Sequence, residues 1–156
     1  MTKILSLDPG THVGWCVMGD DALFAVGCMD FPLARGESLG SRFLKFRAWM
    51  WAMLETNRPD IVVYEQAHMR GGAATDILVG MTTRIQEYCS ERGIEYMPVN
   101  SMTLKKEMAG TGKASKEQMI TVASIIYPGH DLNEHEADAI LLAAYANRKL
   151  SLDKRP

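Results

Sequence analysis

At 156 residues the chain is long enough to bury a hydrophobic core, and it reads as one domain over residues 1–156. Its 17 basic and 19 acidic side chains leave a net charge of -2, which excludes global attraction to nucleic acid, so any such role must rest on local patches. Cys16, Cys28 and Cys89 form no CxxC pair, which argues against a disulfide framework or a zinc site and for buried free thiols in a reducing compartment.

The first third predicts three strands, over 3–8, 13–18 and 23–30, with Pro9-Gly10 and Gly19-Asp20-Asp21 as turn signals. Such short connections fit an antiparallel meander. Ser38 or Ser41 is placed to cap a helix running to about Thr56, with Phe43, Phe46, Met50, Met53 and Leu54 on one face. Trp49 and Trp51 widen that surface, as a second core contact would. Asn57-Arg58-Pro59 stops the helix before a strand over 60–65. Residues 68–74 are polar and glycine-bearing, and are expected to form a mobile loop. A helix over 75–92 follows, with Gly93 as its C-cap.

Residues 95–99 read as a fifth strand, after which Ser101 is expected to cap a short helix ending near Gly110. Thr111-Gly112-Lys113-Ala114 is a loop, and Ser115 begins a helix carrying Glu117 and Gln118 in its first turn. Pro128-Gly129 closes that element. The last helix is predicted from about Glu134 to Leu150, with a polar tail over 152–156. The chain enters its first strand directly after Met1-Thr2-Lys3, and its longest clean apolar stretch, 139–146, is too short for a bilayer. A cytoplasmic protein without membrane contact is expected. The element order describes an α/β fold, a mixed sheet with helices on both faces.

Chemistry concentrates in three distant segments. Asp8 ends the first apolar run, Glu65 ends Ile61-Val62-Val63-Tyr64, and His135 and Asp138 open the last helix. Two unit negative charges about 4 Å apart repel by roughly 4 kcal/mol at an effective dielectric near 20. Several such groups converge only if cations neutralise them or protons are taken up. A hard, oxygen-preferring divalent ion, magnesium or manganese, suits them. Spacing alone leaves both Glu134 and His135 as companions of Asp138, since each shares its helix face. Taken singly, the Asp8 turn, Glu65 and the cluster of Lys105, Lys106, Lys113 and Lys116 would more often be structural or solvated.

Taken together and in order, these features resemble the ribonuclease H-like nucleases, and within them the RuvC family of Holliday-junction resolvases. Asp8-Pro9-Gly10 and Gly14-Trp15 resemble the opening motif, and Val63-Tyr64-Glu65-Gln66 the strand carrying the second acid. The run from Gly110 to Gln118 resembles the loop and helix start where a lysine contacts the scissile region. His135-Glu136-Ala137-Asp138-Ala139 resembles the closing motif. Two positions depart from the common form: His12 stands where arginine is frequent, and His68 where an aromatic often stacks on a base.

The resemblance implies a five-stranded mixed sheet, a three-strand antiparallel meander plus parallel strands. It also implies two Mg2+ ions, replaceable by Mn2+, held by Asp8, Glu65, His135 and Asp138. Asp8 would bridge the ions, and Lys116 would stabilise charge on the phosphate. His68, Arg70, Lys105 and Lys113 would contact DNA. The expected activity is endonucleolytic cutting of four-way junctions and related branched DNA by a homodimer, with a branch-migration motor as a possible partner. The apolar positions Ile77, Leu78, Met81 and Ile85 are the candidate dimer patch, weighed evenly against core packing.

Other readings weigh less. A sugar-kinase or actin-like ATPase shares the start Asp8-Pro9-Gly10-Thr11 but needs a second phosphate-binding repeat and a glycine-rich adenosine motif, both missing here. A YqgF-like nuclease usually has an arginine in the first turn. A non-catalytic binding module on the same fold would have lost an acid, whereas every matching acid position is filled.

Overall fold

Apolar side chains that alternate in direction along the first strand divide the core into two halves. The structure, a computed structural model, describes residues 2–20, 22–67 and 71–154. In β1 (Lys3–Asp8), Ile4 belongs to one apolar cluster and Leu5 and Leu7 to the other, so both faces of this strand are covered. β2 (His12–Gly19) pairs antiparallel with β1, and β3 (Ala22–Asp30) antiparallel with β2. β4 (Ile61–Glu65) lies parallel to β1 on its other side, and β5 (Glu95–Val99) parallel to β4. The sheet order is β3-β2-β1-β4-β5, the mixed five-stranded arrangement expected from the sequence.

α1 (Leu39–Asn57) and α2 (Ala73–Arg92) cover one face through Phe46, Met50, Leu54, Met81 and Ile85. α3 (Ser101–Ala109), α4 (Lys116–Ile126) and α5 (Glu134–Asp153) cover the other, where Ile140, Leu141 and Leu142 are fully buried. Burying such side chains contributes about 1.5–3 kcal/mol each. Met81 and Ile85 have no accessible surface left, so two of the four residues proposed as a dimer patch are intramolecular core. The sheet face beneath α2 needs that cover, which is why the apolar stripe points inward.

Several boundaries differ from expectation. Asn100, not Ser101, caps α3: its side chain accepts hydrogen bonds from the backbone N–H groups of Met102 at 2.9 Å and Thr103 at 3.4 Å. α2 begins at Ala73, two residues early, so 73–74 are helical rather than loop. α5 continues through Leu152 to Asp153, so the first two residues of the expected tail are helix. Cys16 and Cys89 are buried, but Cys28 is exposed on β3, and all three are free thiols. The Ser115 cap is as expected: its hydroxyl accepts from the Gln118 N–H while the Gln118 side chain accepts from the Ser115 N–H, a reciprocal capping box. Among the described residues no helix is long and apolar enough to cross a membrane.

Candidate active site

Topology brings the three acidic segments to one edge. β1 and β4 are parallel neighbours, so their C-terminal residues Asp8 and Glu65 emerge side by side. α5 crosses the same edge with its N-terminal turn, capped by Asn133, which accepts from the Glu136 N–H at 2.8 Å. One carboxylate oxygen each from Asp8, Glu65 and Asp138 lies within 4.8 Å of the other two. The residues singled out from sequence as acids therefore do converge.

Two small residues seat α5. Gly14 lies opposite Asp8 in the β1–β2 ladder, and a Cβ built there would fall 1.9 Å from the His135 carbonyl oxygen. No side chain fits between β2 and the first turn of α5. Ser6 is fully buried, two residues before Asp8, and its hydroxyl donates to the Ala139 carbonyl at 2.5 Å. That bond ties α5 to β1 one residue beyond Asp138. Ser6 was missed from sequence, although a hydroxyl inside Ile4-Leu5-Ser6-Leu7 is a visible signal: a buried polar atom requires a partner.

Burial and like charge dominate the electrostatics. The Asp138 carboxyl is pushed up to about 6, first by burial and then by the Glu65 charge, with His135 and Lys105 opposing. Asp8 is also raised, chiefly by burial, against the hydrogen bond from His135; a hydrogen bond with Glu65 opposes the rise as well. His135 Nδ1 sits 3.0 Å from Asp8 Oδ2, and this contact raises the imidazole above its ordinary value. His135 thus joins the cluster through Asp8, and the set of three convergent carboxylates does not include it. Oxygen donors alone, close together and partly dry, are the ligand set of a hard divalent cation, and burial raises two of the carboxyls.

The remaining sequence-derived residues divide. Lys116 Nζ pairs with Glu134 Oε2 at 2.7 Å, so Glu134, the other spacing-compatible acid, holds this lysine beside the cluster. Lys105, half-buried on α3, acts on Asp138 through its charge. Lys113 is exposed in the loop before α4. His68 and Arg70 lie outside the described residues. His12, which the sequence places in the first turn, is the first residue of β2. Its Nδ1 contacts Asp30 Oδ1 at 2.6 Å, and its ring centroid stands 5.6 Å from that of His135.

Comparison with known proteins agrees with this architecture. No family model matches the chain. The crossover junction endodeoxyribonuclease RuvC of Parvibaculum lavamentivorans is 29% identical over 147 residues, 89% of this chain and 82% of that protein. RuvC of Maricaulis maris is 27% identical over 159 residues, 96% of this chain and 95% of that one. Among solved structures, Thermus thermophilus RuvC in complex with a Holliday junction substrate superposes with a TM-score of 0.78 at 23% identity, covering 96% of this chain and 97% of that chain. The yeast mitochondrial Holliday junction resolvase Ydc2 superposes with a TM-score of 0.63 at 11% identity, over 96% of this chain and 81% of that one. The chain is therefore RuvC-like in sequence, and its fold is that of the ribonuclease H-like group.

Proposed function

We propose that this protein is a divalent-metal-dependent DNA endonuclease that cuts four-way junctions, acting as a twofold dimer that makes paired symmetric nicks. The observation that carries the reading is the convergence of Asp8, Glu65 and Asp138 within 4.8 Å, at the sheet edge where a chain of RuvC-like sequence is expected to cut. Asp8, Glu65 and Asp138 would hold magnesium, as two ions, with manganese able to replace it. Bound there, the metal would supply Lewis-acid stabilisation of charge on the phosphodiester under attack.

The chain's own groups prepare that centre. Burial keeps the Asp8 and Asp138 carboxyls short of water and raises both, so a bound cation would favour their charged forms. His135 fixes Asp8 through Nδ1, while its Nε2 stands 3.5 Å from Glu134 Oε1, which sets the plane of the ring. Lys116 stays charged beside Glu134 and is placed to exchange that partner for a phosphate oxygen. Lys105, on α3, and Lys113, in the loop before α4, would contact the DNA backbone together with His68 and Arg70. One such site makes one cut, so symmetric resolution needs two chains related by a twofold axis. Binding should weaken steeply with salt as counterions return to the phosphates.

The deciding experiment incubates purified protein and magnesium with a synthetic immobile four-way junction and with the matching linear duplex. Asp8→Asn and a chelator serve as controls. Paired nicks in opposite arms, on the junction only and only with Asp8 intact, are the expected result. Equal cutting of duplex would retain the nuclease and remove the junction selectivity. Full activity of Asp8→Asn would remove the metal site from Asp8.

A further inference from the structure

Beside the carboxylate edge lies a cleft of about 360 Å³ lined by Met102, Thr103, Lys106, Thr111, Gly112 and Lys113. We infer that it is a nucleotide subsite in which Lys106 and Lys113 hold backbone phosphates and Met102 packs against an adjacent base. The inference deepens the proposed function and rests on it.

Position is the first argument. Val99 pairs with Glu65 across the β4–β5 ladder, and Met102 follows only three residues later. Three residues span at most about 11 Å, so the cleft begins a short step from the carboxylates. On its other side the chain runs from Lys113 to Lys116, which is tied to Glu134 next to His135. A DNA strand whose phosphate reaches Asp8, Glu65 and Asp138 would therefore have neighbouring nucleotides beside this cleft.

Chemistry is the second. Met102 and Lys106 are one helical turn apart and share a face of α3. Gly112 brings the loop onto that face: a Cβ there would lie 3.6 Å from the Met102 carbonyl and 3.7 Å from its terminal methyl. The Thr111 hydroxyl accepts from the Lys113 N–H at 3.3 Å, which fixes the bend. Lys106 and Lys113 are exposed, and neither forms an ion pair with a described residue, unlike Lys45 and Lys116. Met102 is 63% exposed at the first turn of its helix, a large apolar side chain flanked by two cations. An anionic strand complements the lysines, and the polarisable thioether suits the flat face of any base. An apolar side chain beside phosphate-binding lysines is also the pattern of proteins that wedge bases apart.

The test uses the full-length chain carrying Asp8→Asn, so that the strands stay intact, with an immobile four-way junction as the probe. Affinity is measured across a salt series, and 2-aminopurine is placed singly at the nucleotides flanking the exchange point. Lys106→Ala with Lys113→Ala should lower the slope of log affinity against log salt by about 1.4–1.8, two phosphate contacts' worth. Met102→Ala should keep the slope and halve, or more, the fluorescence rise at the position it unstacks. The side chains are exposed, so the fold should survive, and circular dichroism checks this. An unchanged slope in the double variant refutes the phosphate contacts. Unchanged fluorescence in Met102→Ala refutes the base contact. A parent that binds no branched DNA overturns the proposed function itself, and that result is visible before any variant is compared.

Discussion

Replacing Asp138 with asparagine is expected to stabilise the metal-free fold even as it abolishes cleavage. Burial and the Glu65 charge push this carboxyl from 3.8 to about 6. The folded chain binds the proton more tightly than the unfolded chain, so stability falls as pH rises from about 4 through about 6, and above that the whole penalty stands. At about 1.4 kcal/mol per tenfold change, the displacement amounts to roughly 3 kcal/mol. Asp138 remains partly exposed. Solvent screening and the sharing of charge with Asp8 and Glu65 reduce the expected gain to about 1–3 kcal/mol. For a chain of this size 1 kcal/mol moves Tm by about 2–4 °C, so the variant should melt about 3–10 °C above the parent at pH 8. The gap should close toward pH 4. Thermal melts with chelator present, at intervals from pH 4 to pH 8, measure it directly. Magnesium should raise the parent's Tm at pH 8 and leave the variant's nearly unmoved. Equal melting at pH 8, or a gap that widens on acidification, would refute the account of a carboxylate strained by burial and by the Glu65 charge.

Three further outcomes follow from the same geometry. Gly14→Ala places a methyl group against the His135 carbonyl, so α5 must shift; a displacement near 1 Å should cost about 10²-fold in single-turnover cleavage, with junction affinity largely kept, and an unchanged rate would show that α5 does not set the site. Lys116→Ala should slow the chemical step more than it weakens binding, because the side chain is held by Glu134 beside the cluster; equal rates for variant and parent under single-turnover conditions would count against its catalytic role. Ser6→Ala leaves the Ala139 carbonyl without its cross-link to β1; a loss of about 0.5–1.5 kcal/mol in denaturant melts is expected, and cleavage should fall with it.

Much of this arrangement was readable from residue order, because its determinants are local and apolar. Strands ending in Asp8 and Glu65, and a helix carrying Asp138, announce themselves by a carboxylate abutting an apolar run. What escaped is whatever depends on a neighbour far along the chain. Gly14 looks like any glycine in a strand until α5 lies on it. Ser6 looks like a polar interruption until Ala139 supplies its acceptor. Asn100 and Ser101 are both good caps, and only the observed bend at Asn100 decides between them. The apolar stripe of α2 had to pack against something, and sequence could not say whether this was its own sheet or a second chain; Met81 and Ile85 are covered by the sheet. The pairing of Lys116 with Glu134 separates the two residues that spacing left open beside Asp138: Glu134 is the lysine's partner, and His135 is Asp8's.

The seating of α5 also bears on the order in which this chain acquires its chemistry. The bond between Asp8 and His135 spans 127 residues, and that between Ser6 and Ala139 spans 133. A growing chain therefore displays both strand-end carboxylates, and most of the sheet, long before the helix that completes the triad exists. Synthesis interrupted before residue 134 yields a product without Asp138, however well its sheet has formed. Strand-cutting capacity would arrive last and all at once, as the closing helix docks.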